Sequence, residues 1–368
     1  MLVSFLSDNL IKKISFLNHA VSTRSQLPIL SNFLLEAKNG KLTISATDLE
    51  MGIISSIPAN VEKEGSVTVP AKNFLDLFSN IVSQKITLEL TDNTLKLKGE
   101  KMKASFQTMS SEDFPKLYDK EGEEVLDINK KDIEQFLTRT TFAAAVDATR
   151  PALSGILLEN QKTGICFIAT DSYRLSLQKT SLKALKELEK PIVVPARIIK
   201  EMSFIKEEDE KIKLFVSRES SQILIFQGDT IIVGRLIDAN YPEYSKIIPQ
   251  GSSTKIEVDR EHLLNAIRIC SVFARETANI VKFTIQKDKL IVSANSPAVG
   301  EDLVEVEAKL EGEENEIAFN AKYLIDILAI LSEEDLVFEM TGPLNPGVFK
   351  IKGDNNFLHL IMPIRVQG

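Results

Sequence analysis

Apolar and polar positions along this chain alternate in two periods, and the alternation comes in blocks that repeat. In "ITLELTDNTLKLKGEKMKASFQT", Ile86, Leu88 and Leu90 fall on one face and polar residues on the other, with a turn at Asp92-Asn93. That spacing predicts half-buried strands. "KIKLFVSRESSQILIFQGDTIIVGRLI" repeats the pattern with a hairpin signal at Gly228-Asp229, and "LVFEMTGPLNPGVFKIKGDNNFLHLIMPI" does so with Gly353-Asp354. Gly99, Gly228 and Gly353 hold the same place in the three blocks. Ahead of each block an apolar strand runs into a helical pattern: "VTVPAKNFLDLF", "IVVPARIIKEMSF" and "IAFNAKYLIDIL". Their alanines, Ala71, Ala196 and Ala321, follow one another at intervals of 125 residues.

The repeat reaches further upstream. "GKLTISATDLEMGI", "TGICFIATDSYRLSL" and "DKLIVSANSPAVGEDLVEV" match at Ala46, Ala169 and Ala294. Before them come the helical segments "LIKKISFLNHAV", "DIEQFLTRTTFAAA" and "EHLLNAIRICSVF". Each unit thus holds two helices and two groups of strands, an α+β domain of ordinary size. The polar stretches "DKEGEEVLD" and "PQGSSTK" place the domains at residues 1–124, 125–252 and 253–368. Units this long bury their own cores, which favours three tandem domains over a solenoid.

Composition narrows the class. The chain is 43% hydrophobic and 26% charged, as in a globular protein, and no apolar run is long enough for a membrane span. The first residues carry charges too early for a signal peptide. Two cysteines far apart, Cys166 and Cys270, suit a reducing cytoplasm. The net charge of −8 argues against a firm grip on nucleic acid, unless bases gather on one surface.

The chemistry expected of an enzyme is thin. The three histidines, His19, His262 and His359, stand at non-equivalent places, and no metal, phosphate-loop or dinucleotide motif occurs. Asp48 and Asp171, in "ATDLE" and "ATDSYR", are the acid candidates; aspartates at strand ends also bond their own turns. The third unit has Ser296 there. Lys72, Arg197 and Lys322 follow the three alanines, in the first turn of a helix, where a cation opposes the helix dipole but suits a phosphate. A solvated surface lysine is the plain alternative. Pro70 and Pro195 fit the first helical position and Asn320 an N-cap.

Taken together, "LPILSNFLLEA", "ATDLEM", "VTVPAK", "ATDSYRLSL", "VVPAR", "YPEYSKIIP", "FNAKYLIDIL" and "IMPIRV" resemble the bacterial β sliding clamps, the processivity subunits of the replicative DNA polymerase. The resemblance covers essentially the whole chain. It implies three copies of one clamp domain, two helices packed on antiparallel sheets, and a head-to-tail homodimer closed as a ring of six domains. It implies no cofactor and no catalysis, with double-stranded DNA threaded through the ring without regard to sequence. Lys12, Arg24, Lys72 and Arg197 match the family's pore cations; Lys322 is added from the internal repeat.

The resemblance further implies a pocket for short peptides of the DNA polymerase III catalytic subunit, an ATP-dependent clamp loader, other polymerases and repair proteins. Its matching positions are Leu153, Thr170, Ser172, Tyr173, Arg174 and Leu175, with Pro242, Lys246 and Ile247. Asn320, Tyr323, Leu344 and Pro346 join them, and then Leu360, Ile361, Met362, Pro363, Ile364 and Arg365. Most are aliphatic, as an apolar cleft for a leucine and an aromatic ring requires, and Met repacks for varied ligands. Ile247 and Leu175, taken singly, read as core. Phe106 and the pair Val272 and Phe273 match the family's dimer contact, Phe106 on an edge strand. Three departures bear on peptide preference: Ser172-Tyr173 where Gly-His is frequent, Lys246 where Arg is frequent, and an end extended by Gln367-Gly368. A peptide-binding adaptor without DNA, and an enzyme using Asp48 and Asp171, are the competing readings.

Overall fold

The three repeats build the same order of elements, with one additional strand (β5) in the first, seen in a computed structural model that describes residues 1–22, 25–147, 149–186, 188, 190–205, 207 and 210–365. The first repeat holds β1 (Leu2–Leu6), α1 (Ser7–Leu17), β2 (Asn32–Lys38), β3 (Lys41–Thr47), β4 (Met51–Pro58), β5 (Asn60–Lys63), β6 (Gly65–Pro70), α2 (Ala71–Ser79), β7 (Lys85–Thr91), β8 (Thr94–Lys98) and β9 (Lys103–Gln107). The second holds β10 (Glu123–Asn129), α3 (Lys130–Thr141), β11 (Gly155–Gln161), β12 (Gly164–Thr170), β13 (Arg174–Lys179), β14 (Ile192–Pro195), α4 (Ala196–Glu201), β15 (Lys211–Ser217), β16 (Gln222–Gln227) and β17 (Thr230–Arg235). The third holds β18 (Thr254–Asp259), α5 (Arg260–Ala274), β19 (Ile280–Gln286), β20 (Lys289–Ser296), β21 (Gly300–Gly312), β22 (Asn315–Asn320), α6 (Ala321–Ile330), β23 (Asp335–Met340), β24 (Gly347–Ile351) and β25 (Asp354–Ile361).

The second helix of every repeat begins at the alanine that marks the interval. Ala71, Ala196 and Ala321 are all buried, so each chain turns from strand to helix over a side chain small enough to lie beneath it. The prolines stand one residue earlier than expected: Pro70 is the N-cap of α2, with φ −55° and ψ 111°, and Pro195 closes β14. A nearly extended ψ ends the strand there, before the helical hydrogen bonds begin. Asn320 caps α6 as expected, its side chain accepting from the Lys322 amide at 2.9 Å. The turns at Asp92-Asn93 and Gly228-Asp229 join paired strands as expected. In the third repeat the turn is Lys352-Gly353, one residue earlier, because β24 carries a bulge between Phe349 and Ile351.

Chain contacts divide the protein into two compact units. One comprises Met1–Glu134, Leu185–Glu187 and Arg197–Leu236. It contains two antiparallel sheets, ordered β5-β1-β7-β8-β9 and β10-β15-β16-β17-β4-β3-β2-β6. Leu10, Ile14 and Leu17 of α1 recur at helical spacing and are fully buried, as are Phe33, Phe74 and Phe78. The other unit comprises Gln135–Ala184, Leu188–Ala196 and Ile237–Gly368. Its sheet runs β14-β11-β12-β13-β25-β24-β23-β18-β21-β20-β19-β22. Leu263, Ile267, Cys270 and Ala274 of α5 pack with Leu324, Ile327 and Leu328 of α6 around Phe283, Phe319, Phe338 and Phe349.

Each unit contains one joint between repeats, made the same way. The last strand of a repeat pairs with the fourth strand of the repeat before it: β17 with β4, and β25 with β13. A third such joint would need β9 on the first half of β21. Within the chain, β9 pairs only with β8 as a strand, and Gly300–Glu307 pair only with β20. Both edges are open among the described residues.

Candidate functional site

The turn between β12 and β13 is set by two side chains. Thr170 Oγ1 donates to the Arg174 carbonyl at 2.7 Å and accepts from the Ser172 amide at 3.2 Å. Asp171 Oδ1 accepts from the Tyr173 amide at 2.9 Å and the Arg174 amide at 3.0 Å. Ser172 is thereby held at φ 80°, and its hydroxyl accepts from Arg150 Nη1 at 2.9 Å. Asp48 makes the matching turn in the first repeat and pairs with Arg197 at 2.6 Å. Both aspartates therefore spend their oxygens on backbone amides and an arginine, as a turn residue does.

Arg174 is buried and fully engaged. Its Nε donates to Asp171 Oδ2 at 3.0 Å, Nη1 to Asp326 Oδ2 at 2.6 Å and Nη2 to the Phe142 carbonyl at 2.9 Å. The guanidinium lies over the rings of Tyr323 at 4.7 Å and Phe142 at 5.3 Å. Tyr323 in turn stacks on Tyr173, centroids 6.3 Å apart and planes 21° apart. Burial, and then the Asp171 carboxylate, push the Tyr323 hydroxyl above its ordinary pKa. Further along the same strand pair, Arg139 bonds Gln178, Asp354 and Glu333. His359 lies on the strand between these arginines, fully buried, 5.2 Å from the Phe142 ring, with neither nitrogen hydrogen-bonded. Burial, reinforced by Arg174, pushes its pKa down to about 3. This polar seam was not visible in sequence; its one signal is an arginine, Arg139, written among the apolar positions of α3.

Around the turn the candidate residues sort by exposure. Leu175 and Leu360 face each other across β13 and β25 and are fully buried in one cluster with Leu157, Cys166, Leu177 and Val348. Ile361 is equally buried in the cluster beneath the helices, and Leu153, Thr170 and Arg174 are buried too. Leu175 and Leu360 thus floor one face of the sheet, while Arg174 and Ile361 point to the helix-covered face. Tyr173, Ile247, Leu344 and Met362 are 59%, 42%, 60% and 36% exposed, so Ile247 is no core residue. Pro242, Lys246, Ser172 and Arg365 are exposed as well, with Asn320, Tyr323, Pro346, Pro363 and Ile364 half-buried. The segment carrying Pro242 and Ile247 is pinned by Tyr241 to the Ile168 carbonyl and by Tyr244 to Glu159 at 2.7 Å. The chain after β25 is pinned by Met362 N–H to the Tyr173 carbonyl and Ile364 N–H to the Ala318 carbonyl, both 2.8 Å.

The cations divide. Lys12 on α1, Lys72 on α2 and Lys322 on α6 are exposed, with no side-chain ion pair among the described residues. Arg197 is half-exposed, bound to Asp48 and to the His19 carbonyl at 3.2 Å. Arg24 lies outside the described residues. Phe106 is on β9, an edge strand as expected, its ring 5.6 Å from Phe74. Val272 is 55% exposed, whereas Phe273 is half-buried against its own core.

Comparison with known proteins gives one answer along the chain. Three domain models of the DNA polymerase III beta subunit match: N-terminal at residues 1–118, central at 127–243 and C-terminal at 245–365. A beta sliding clamp from Synechococcus elongatus is 31% identical over 364 residues, 96% of each chain. The crystal structure of the DNA polymerase sliding clamp from Bacillus subtilis superposes with a TM-score of 0.94 over 100% of both chains, at 26% identity. A sliding clamp from Bartonella birtlesii, solved bound to griselimycin, is 25% identical with a TM-score of 0.93, again over 100% of both chains.

Proposed function

The chain belongs to the beta sliding clamp family, and from that premise we propose how its residues do a clamp's work. It is a DNA sliding clamp, the processivity factor that encircles duplex DNA as a ring-shaped homodimer and tethers the replicative polymerase. The open pair of edges carries this reading. The second and third repeats each join the one before by their last strand, and among the described residues β9 and the first half of β21 are left without that partner. A second copy supplies both, head to tail, and the two closures are identical by symmetry. The charges agree: Lys96, Lys98, Lys101 and Lys103 lie on or beside β9, and Glu301, Glu305 and Glu307 on β21. Phe106 and Val272 then meet across the closure. Three domains divided near residues 124 and 252 repeat around the axis.

Sliding requires weak contacts with phosphates wherever the duplex turns. Lys12, Lys72 and Lys322, exposed and without an ion pair among the described residues, serve that contact, with Arg197 once it leaves Asp48. The clamp's action is topological: it raises the local concentration of what it tethers and needs no reaction of its own. No helix among the described residues is long and apolar enough to cross a membrane; we take the clamp to work in the cytoplasm, opened by an ATP-dependent loader.

Tyr173, Ile247, Leu344 and Met362, over the floor of Leu175 and Leu360, form the cleft for short apolar peptides of polymerases, loader and repair proteins. The test is fluorescence polarisation of a labelled Gln-Leu-x-Leu-Phe peptide. The wild type should bind in the micromolar range and Met362→Ala at least tenfold more weakly. Equal binding by the variant would remove the cleft from this surface, and retention on linear as well as circular DNA would remove the ring.

A further inference from the structure

The joint of the first two repeats carries its own cleft, and its chemistry differs. Thr47 Oγ1 donates to the Met51 carbonyl at 2.8 Å and accepts from the Leu49 amide at 3.0 Å. Asp48 Oδ1 accepts from the Glu50 and Met51 amides at 3.1 and 2.8 Å, and Leu49 is held at φ 78°. Bond for bond this is the turn at Thr170–Arg174. The Arg235 amide donates to the Glu50 carbonyl at 3.1 Å, as the Met362 amide does to Tyr173. The strand register agrees, Gly234 opposite Met51 as Ile361 is opposite Arg174. "FPKLY" from Phe114 supplies the wall that "YPEYS" from Tyr241 supplies in the other joint.

Glu50 therefore stands where the apolar cleft has Tyr173, Gly52 where it has Leu175, and Arg235 where it has Met362. Between them lies a cavity of about 330 Å³, within the roughly 300–1,000 Å³ of ligand pockets. Lys116 and Arg235 line it as cations and Glu50 as the one acid; the remaining lining is neutral. Arg235 has no ion pair among the described residues. Lys116 meets only Asp119, in a pair about three-quarters exposed that holds it weakly. Glu50 is 85% exposed and turned toward Arg197, 4.0 Å away. Leu49, 52% exposed, offers an apolar contact from a backbone conformation a leucine rarely adopts. Gln222 holds the wall in place, its Nε2 donating to the Leu117 carbonyl at 2.8 Å.

We propose that this cleft is a second docking site, for an extended acidic peptide of a partner protein. Side chains of an extended strand alternate, so acids meet Lys116 and Arg235 while the opposite face lays an apolar residue on Leu49 and Leu117. The proposal rests on reading the other joint as a peptide cleft, and the two are separable by experiment. The probe is a fluorescein-labelled peptide alternating Glu and Leu, titrated into the full chain at low salt. Saturable binding is expected, weakened at least tenfold by Lys116→Glu with Arg235→Glu and unchanged by Met362→Ala. Hydrogen exchange at Thr47–Gly52 and Pro115–Leu117 should slow when the probe is bound. Binding that survives the charge reversal, binding lost in Met362→Ala, or no saturation at millimolar probe would each overturn it. The Gln-Leu-x-Leu-Phe peptide, run alongside, reports on the apolar cleft alone.

Discussion

Replacing His359 by leucine should make the protein less sensitive to acid. In the folded chain its imidazole is fully buried beside Arg174, whose guanidinium is already committed to Asp171 and Asp326, and neither ring nitrogen has a hydrogen-bond partner. Its pKa falls from 6.5 to about 3. The sign follows from which state takes the proton. Above pH 6.5 the ring is neutral both folded and unfolded, and stability does not depend on it. As pH falls from there toward 3, the unfolded chain binds a proton that the folded chain refuses, so stability is lost. At pH 5 the loss from this group is about 2 kcal/mol. Urea unfolding of wild type and His359→Leu at pH 7.5 and 5.0 reads it directly. Every other group is common to both proteins, so the wild type should lose about 2 kcal/mol more than the variant over that interval. At pH 7.5 the variant should be no less stable, because an unpaired buried polar ring is replaced by an apolar chain. Equal losses in the two proteins would refute the burial argument. So would a His359 resonance titrating near pH 6.5.

Arg174→Met should cost roughly 3 kcal/mol, because it leaves the Asp171 and Asp326 carboxylates facing a site without its cation; thermal unfolding unchanged from wild type would contradict this. The same variant should weaken binding of the Gln-Leu-x-Leu-Phe peptide, since Tyr323 loses the cation beneath its ring. Lys101→Glu with Lys103→Glu should dissociate the dimer at low micromolar concentration by sedimentation velocity, and Glu301→Lys with Glu305→Lys on the partner edge should restore it. A wild-type dimer indifferent to salt would count against charge at the closure.

The frame of this protein was legible because it is local. The interval of 125 residues located three helix starts to within one residue, and the alternating patterns located the strands. A strand and the helix after it are decided by neighbours in sequence, and repetition gives three readings of each decision. Burial at the cleft was not legible. Leu175 and Leu360 become floor, while Met362 and Leu344 stay exposed, only because β13 pairs with a strand far along the chain. The seam of Arg139, Arg174 and His359 depends on the same pairing. Taken singly, each looks like a surface residue; Arg174 and His359 share one side of the sheet, and Arg139 reaches it from α3.

The two clefts show how one frame carries different chemistry. The Thr-Asp turn and the strand register fix the backbone in both joints, to within a few tenths of an ångström in their hydrogen bonds. The side chains those bonds leave free, at Glu50 and Tyr173, at Arg235 and Met362, have no structural duty in common and so are open to divergence. A ring of six equal frames would otherwise present its partners with several equal sites. Under the proposed function, divergence at these few positions would confine an apolar peptide to one joint in each chain. The repeat itself is unaltered, since the bonds that fix the turn's backbone are made within the turn and to the neighbouring strand.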